Sequence, residues 1–229
     1  MIISLKQLRD FDIETSVASR ILLLLDNSQK SKVINRTYFD DYIKNPVPFS
    51  YDENDINKLN EIWNIKDCHI CPLLRTKNKA YPNGNLNASI FVIGEAPGIG
   101  KLLDNIPDDF LMWAAGPSTE NLKTALSALN ILDHCWFSNL LRCSIPDNRP
   151  GNNDEFNNCF SKLKKEIELI GPKILLLLGN RVTSFVEQKK SELLGYKIIK
   201  IKHPAYYNYK GLTYEAYADD IKRSLKEAL

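Results

Sequence analysis

The chain has 229 residues, 30 basic and 28 acidic for a net charge of +2, with 44% hydrophobic and 25% charged residues. That length supports one sizeable core with an appendage, and the even charge excludes a bulk basic surface, so any nucleic-acid contact has to be local. No apolar run approaches the roughly 20 residues that cross a bilayer, and the opening MIISLKQLRD lacks the order of a signal peptide, so an intracellular, cytoplasmic protein is expected.

Residues 1–60 are rich in Asn, Asp, Lys and Tyr, with helical apolar spacing around Thr15–Leu25 and a short helix expected at Asp55–Ile65. They carry no chemical motif and read as a helical N-terminal extension to a main domain over residues 61–229. Pro46-Val-Pro48 marks a break in it. The main domain opens on Asp67-Cys-His-Ile-Cys-Pro72, a C-x2-C pair that zinc, a redox dithiol or an iron–sulfur cluster would each explain.

From Ala88 onward the pattern becomes regular. Strands are expected at Ser89–Ile93, Cys135–Leu141, Ile174–Leu178 and Lys197–Lys202. Helices are expected at Ser118–Leu129, Asp154–Leu169, Asn180–Leu194 and Thr213–Leu229, with Ser118 capping the first and Asn153 or Asp154 the second. Alternating strands and helices predict an α/β fold, a parallel sheet covered on both faces. The run Ile174-Leu-Leu-Leu-Leu178 suits a strand buried on both sides.

Ligands of such sheets bind beyond the carboxyl ends of the strands. Three polar turns fall there: Gly94-Glu-Ala-Pro-Gly98, Ser138–Arg142 and His203-Pro204. Turn chemistry explains Gly94, Pro97 and Gly98. It does not explain Glu95. Two further cysteines, Cys143 and Cys159, are widely spaced. Four thiolates suit an iron–sulfur cluster or an all-thiolate zinc site, and the wide second spacing favours the cluster. Cys135, beside Trp136, reads as core.

These motifs occur together and in order: Cys68-x2-Cys71-Pro-Leu, Gly84-Asn85, Phe91-Val-Ile-Gly-Glu-Ala-Pro-Gly98, Ser138-Asn139-Leu-Leu-Arg142-Cys143, Pro146-x-Asn148-Arg149, Cys159, Pro172-Lys173, Leu178-Gly179 and His203-Pro204-Ala205. In this the chain resembles family 4 of the uracil-DNA glycosylase superfamily, the iron–sulfur type, over about residues 66–205. The resemblance implies a three-layer α/β/α sandwich with a four-stranded parallel sheet. It implies a 4Fe–4S cluster of structural role on Cys68, Cys71, Cys143 and Cys159. It implies a monofunctional glycosylase, acting as a monomer on uracil-containing DNA in base excision repair, in the nucleoid.

The same resemblance suggests roles. Glu95 would polarise water or stabilise the developing sugar cation, and His203 would stabilise the leaving uracil O2. Asn139 would read the uracil edge, since an amide offers a donor and an acceptor. Pro97 and Gly98 would shape the pocket loop. Phe110 is the nearest counterpart of the family's base-stacking Phe, with Trp113 as the alternative. Tyr206, Tyr207 and Tyr209 follow His-Pro-Ala where the superfamily enters the minor groove, and Lys202, Lys210, Arg142 and Arg149 could pair with phosphates. Two stretches depart from the family: Ile99-Gly-Lys-Leu-Leu103 replaces acidic residues, and Ile106–Gly116 is altered and lengthened. Both lie at the pocket mouth, so a different deaminated or modified base is the alternative substrate. A non-catalytic DNA-binding or partner-binding module is the alternative class.

Overall fold

The computed structural model describes residues 53–63, 71, 73, 79–98, 109–113 and 116–228. The helix expected at Thr15–Leu25, Cys68 and residues 99–108 lie outside them. In chain order the elements are α1 (Glu53–Trp63), β1 (Lys79–Tyr81), β2 (Asn83–Gly84), β3 (Ile90–Gly94), β4 (Asp109–Leu111), α2 (Pro117–Ala128), β5 (Cys135–Asn139), α3 (Asn153–Ile170), β6 (Ile174–Leu178), α4 (Asn180–Gln188), β7 (Lys197–Ile201), α5 (Pro204–Tyr209) and α6 (Tyr214–Ala228).

The sheet order is β2-β5-β3-β6-β7. Strands β5, β3, β6 and β7 are mutually parallel, and β2 adds a two-residue antiparallel edge through Asn83↔Phe137. The expected four parallel strands are therefore present, with one short edge strand more. A separate parallel pair, β1 with β4, matches Ala80 to Phe110.

Period-two alternation decides which layer each strand residue enters. Phe91, Ile93, Leu175 and Leu177 face one core with Leu59 and Ile62 of α1, Phe156 and Leu163 of α3, and Phe185 of α4. Ile90, Val92, Leu176 and Leu178 face the other, with Leu122 and Leu126 of α2 and Tyr207, Tyr217 and Ile221 of the last two helices. The chain steps from β3 to β5 under one helical layer, then returns across β3 to β6 under the other. That reversal makes β3 and β6 neighbours at the switch point where such sheets open a crevice. Helix α1 runs across the boundary expected at residue 60, and its Leu59 and Ile62 lie in the main core. Its apolar face has nowhere else to be buried.

Two caps differ from expectation. Asn152 caps α3: its side chain accepts the Glu155 N–H at 2.9 Å, and the Glu155 carboxylate accepts the Asn152 N–H at 3.0 Å. This is a reciprocal capping box. Helix α2 starts at Pro117 after Gly116, without a side-chain cap, because proline pre-sets φ and leaves no N–H to satisfy.

One polar network crosses the core. The Glu166 carboxylate, fully buried on α3, accepts from Trp136 Nε1 at 2.6 Å, Ser138 Oγ at 3.1 Å and Arg142 Nη2 at 2.8 Å. Arg142 Nη1 donates to the Ile62 carbonyl at 2.9 Å. A buried carboxylate needs a paired cation, and this requirement turns Arg142 inward. Its expected contact with DNA phosphate is corrected accordingly.

Candidate active site

Three turns meet at the carboxyl edge of the sheet. Glu95 directly follows β3. Its Oε1 accepts the Gly151 N–H at 2.9 Å and lies 3.6 Å from Arg181 Nη1 in the first turn of α4. Gly151 is fixed because the bidentate Arg149–Glu155 pair and the Asn152 cap close the loop around it. Arg149, expected at phosphate, thus holds Glu155, and its guanidinium keeps that carboxyl below the usual range. Pro97 is buried and Gly98 exposed; a Cβ at Gly98 would meet nothing within 4 Å.

Asn139 ends β5. It is 3% exposed, and its Oδ1 is buried without a hydrogen-bond partner among the described residues. An orphaned buried acceptor costs free energy unless a ligand supplies the donor. A Cβ on Gly94 would lie 2.3 Å from this Oδ1 and 2.4 Å from Trp113 Cζ2. Only glycine lets the amide and the indole close over the strand end.

Trp113 has φ of 52°. Its Nε1 donates to the Ser138 carbonyl at 3.1 Å, and its ring centroid is 5.9 Å from that of His203. The segment before it is tied down twice. The Met112 N–H donates to the Tyr81 carbonyl at 2.8 Å, and Asn83 Nδ2 donates to the Met112 carbonyl at 2.6 Å. Phe110 is the middle residue of β4.

His203 follows β7 and caps α5. Its Nδ1 accepts the Ala205 N–H at 3.2 Å. That bond leaves the ring proton on Nε2. Burial pushes His203 below the usual histidine value, so the imidazole is neutral near pH 7. Gly179, at φ 90°, backs the ring: a Cβ there would sit 3.1 Å from His203 Cβ.

The tyrosines after His203 divide. Tyr207 is 2% exposed, packs on Tyr217 with centroids 4.4 Å apart, and bonds Asp220 through its hydroxyl. Its expected DNA contact is corrected, because the face of α5 it occupies is the one that covers the sheet. Tyr206 is half-exposed under Lys202, whose Nζ is 4.4 Å from the ring centroid. Tyr209 is 87% exposed beside Lys210.

Cys71, Cys143 and Cys159 are buried in one core cluster, on the α3 side of the sheet. Cys135 lies in the other core, its Sγ donating to the Ile131 carbonyl at 3.2 Å and its thiol pushed up by burial. Among the described residues no three His, Cys, Asp or Glu side chains converge as a metal site. Sequence reasoning missed Arg181 and Gly151. Arg181 stands two residues past the Leu178-Gly179 strand end, a legible position, but its partner Glu95 was not legible.

Comparison with known proteins agrees with this geometry. The family described as the uracil DNA glycosylase superfamily matches residues 81–226. A Type-4 uracil-DNA glycosylase of Saccharolobus solfataricus is 32% identical over 161 residues, covering 67% of this chain and 71% of that protein. One of Archaeoglobus fulgidus is 28% identical over 178 residues, 69% of this chain and 87% of the relative. A Type-5 uracil-DNA glycosylase of Pyrobaculum aerophilum is 25% identical over 193 residues, 69% and 82% of the two chains.

Proposed function

The chain belongs to the uracil DNA glycosylase superfamily, and from that premise we propose how its site works. It is a uracil-DNA glycosylase of DNA repair, hydrolysing the N-glycosidic bond of deoxyuridine in DNA. The observation that carries the site assignment is the buried, unpartnered Asn139 Oδ1 between Glu95 and His203.

The target nucleotide leaves the stack and its base enters the pocket. Asn139 Oδ1 accepts uracil N3–H and Nδ2 donates to O4. Trp113 offers an aromatic face at the pocket wall, and Pro97 and Gly98 shape the opposite loop. As the glycosidic bond breaks, negative charge gathers on uracil O2, where the Nε2–H of His203 donates. Positive charge gathers on the sugar, where the Glu95 carboxylate faces it and orients water. Water adds to C1′, its proton passes to solvent, and uracil departs as the anion. No lysine is placed by motif to form a Schiff base, so the product is an intact abasic site. Tyr206, Tyr209 and Lys202 form the DNA-facing rim.

The thiols of Cys71, Cys143 and Cys159 fit a 4Fe–4S cluster in type and burial. With Cys68, outside the described residues, they would complete the ligand set. The group would contribute a structural tie between the segment before β1 and the start of α3. Cys143→Ser is expected to lose iron and soluble yield together, while Cys135→Ser keeps both. Iron content and absorbance of the purified proteins read this directly, and full iron in Cys143→Ser removes that ligand.

The test of function is strand cleavage, after alkali, of an oligonucleotide carrying one central uracil. The wild type is expected to cleave it. Glu95→Ala is expected to lower single-turnover release by ~10²-fold or more, the scale of a group that meets developing charge. Unchanged rates would place Glu95 outside the chemistry.

A further inference from the structure

The Glu95–Arg181 pair has no role in the steps above. We propose that Arg181 is the binding site for a backbone phosphate beside the extruded nucleotide, and that Glu95 fills this site only while DNA is absent. The inference rests on the glycosylase reading of the same edge.

The contact is loose. Arg181 Nη1 stands 3.6 Å from Glu95 Oε1, beyond hydrogen-bond length, and the Arg181 side chain is 46% exposed. Glu95 Oε1 already has a closer donor in the Gly151 N–H at 2.9 Å. Exchange of Arg181 to another anion therefore leaves the carboxylate held. An exposed pair of this kind contributes little to stability, so its exchange opposes DNA binding only weakly.

The position is equally specific. Strands β3 and β6 are adjacent, with Ile93 opposite Leu177. Glu95 leaves one strand and Arg181 follows the other. Between Arg181 and β6 lies Gly179, against His203. A nucleotide whose sugar sits between Glu95 and His203 carries a phosphate on each side, and Arg181 stands at that same edge. The carboxylate already drawn to the guanidinium shows that the place accepts an anion. A planar guanidinium can bind two phosphate oxygens at once, and the opening turn of α4 adds the positive end of its dipole.

The other cations at this edge have firmer partners. Arg142 is spent on Glu166 at 2.8 Å and on the Ile62 carbonyl. Arg149 forks onto both oxygens of Glu155. Lys202 lies over Tyr206.

The experiment replaces, one at a time, each phosphate flanking the uracil nucleotide with an uncharged methylphosphonate. Excision kcat/KM and oligonucleotide affinity are measured for the wild type, Arg181→Ala and Arg181→Lys. Neutralising one particular phosphate is expected to cost the wild type about tenfold and Arg181→Ala nothing further, with Arg181→Lys between; the salt slope of Arg181→Ala falls by about one. Equal sensitivity of wild type and Arg181→Ala at every phosphate overturns the proposal, even if Arg181→Ala is slow, because the residue would then act on Glu95 alone. A wild type that excises no uracil refutes the base reading separately. The affinity arm of the same scan then decides the phosphate site by the same comparison.

Discussion

His203→Ala is expected to slow single-turnover uracil release by about 10²–10³-fold while the protein stays folded, the loss seen when one donor to a developing anion is removed. The reasoning is geometric. Nδ1 is occupied by the Ala205 N–H, so the ring proton resides on Nε2 and points away from the helix it caps. A neutral donor serves a uracil anion well because it need not be desolvated as a charge before the reaction. His203→Gln tests the same idea, since an amide can donate from a similar reach; partial recovery over His203→Ala identifies donation as the lost function. Rates equal to wild type in both variants would remove His203 from the mechanism.

The pH dependence follows from the direction of the His203 shift. Burial lowers its folded value below the ordinary 6.5. Between that lowered value and 6.5 the unfolded chain binds more protons than the folded one, so stability rises with pH across this window and is constant above it. As pH falls through the window, the neutral imidazole is first penalised in stability and then lost as the imidazolium forms. That cation cannot accept the Ala205 N–H. Excision should therefore hold from pH 8 down to about 6.5 and fall below it. His203→Gln should flatten any acid loss that His203 causes, and an unaltered acid limb in that variant would assign it elsewhere.

Asn139→Asp is expected to lower excision of uracil by about 10²–10³-fold, close to the scale on which sites built to hydrogen-bond a substrate reject a mismatched one. The present amide has its Oδ1 buried and unpartnered, waiting for the N3–H donor of the base. A carboxylate still accepts from N3–H, but it meets uracil O4 with a second acceptor and brings a charge into a site that is 3% exposed. Two acceptors face to face leave both unpaired in a buried place. The same change should raise cytosine excision relative to uracil, since the amino group of cytosine donates where O4 accepts. Measuring both bases in one oligonucleotide context separates lost recognition from a damaged fold, because misfolding lowers both rates. An unaltered uracil preference would move edge reading to another residue.

Much of this arrangement was legible in the sequence for local reasons. The apolar runs Phe91–Ile93 and Ile174–Leu178 announce strands buried on both faces, and they are. Gly-Glu-Ala-Pro-Gly after the first and His-Pro-Ala after the last announce turns, and turn residues act through their own φ and ψ. The shared direction of parallel strands then brings Glu95, Asn139 and His203 to one edge. Even so, cap positions shifted by a residue or two, since Ser118 and Asn153 compete with neighbours of nearly equal capping strength.

What the sequence by itself determined is the layered α/β fold, the two faces of its strands and the turns that carry the chemistry, because each depends on periodicity or on one residue's backbone preference. Only the tertiary structure decided where side chains with several possible partners would go. Arg142 went inward because Glu166, buried on α3, had to be neutralised. Tyr207 went into the core while Tyr209, two residues on, stayed at the surface, because a short helix lying on the sheet buries one side only. Trp113 closed on Gly94, and Arg181 found Glu95. Those choices join residues far apart along the chain, and a long-range contact is specified by the packing that brings its partners together rather than by any local pattern.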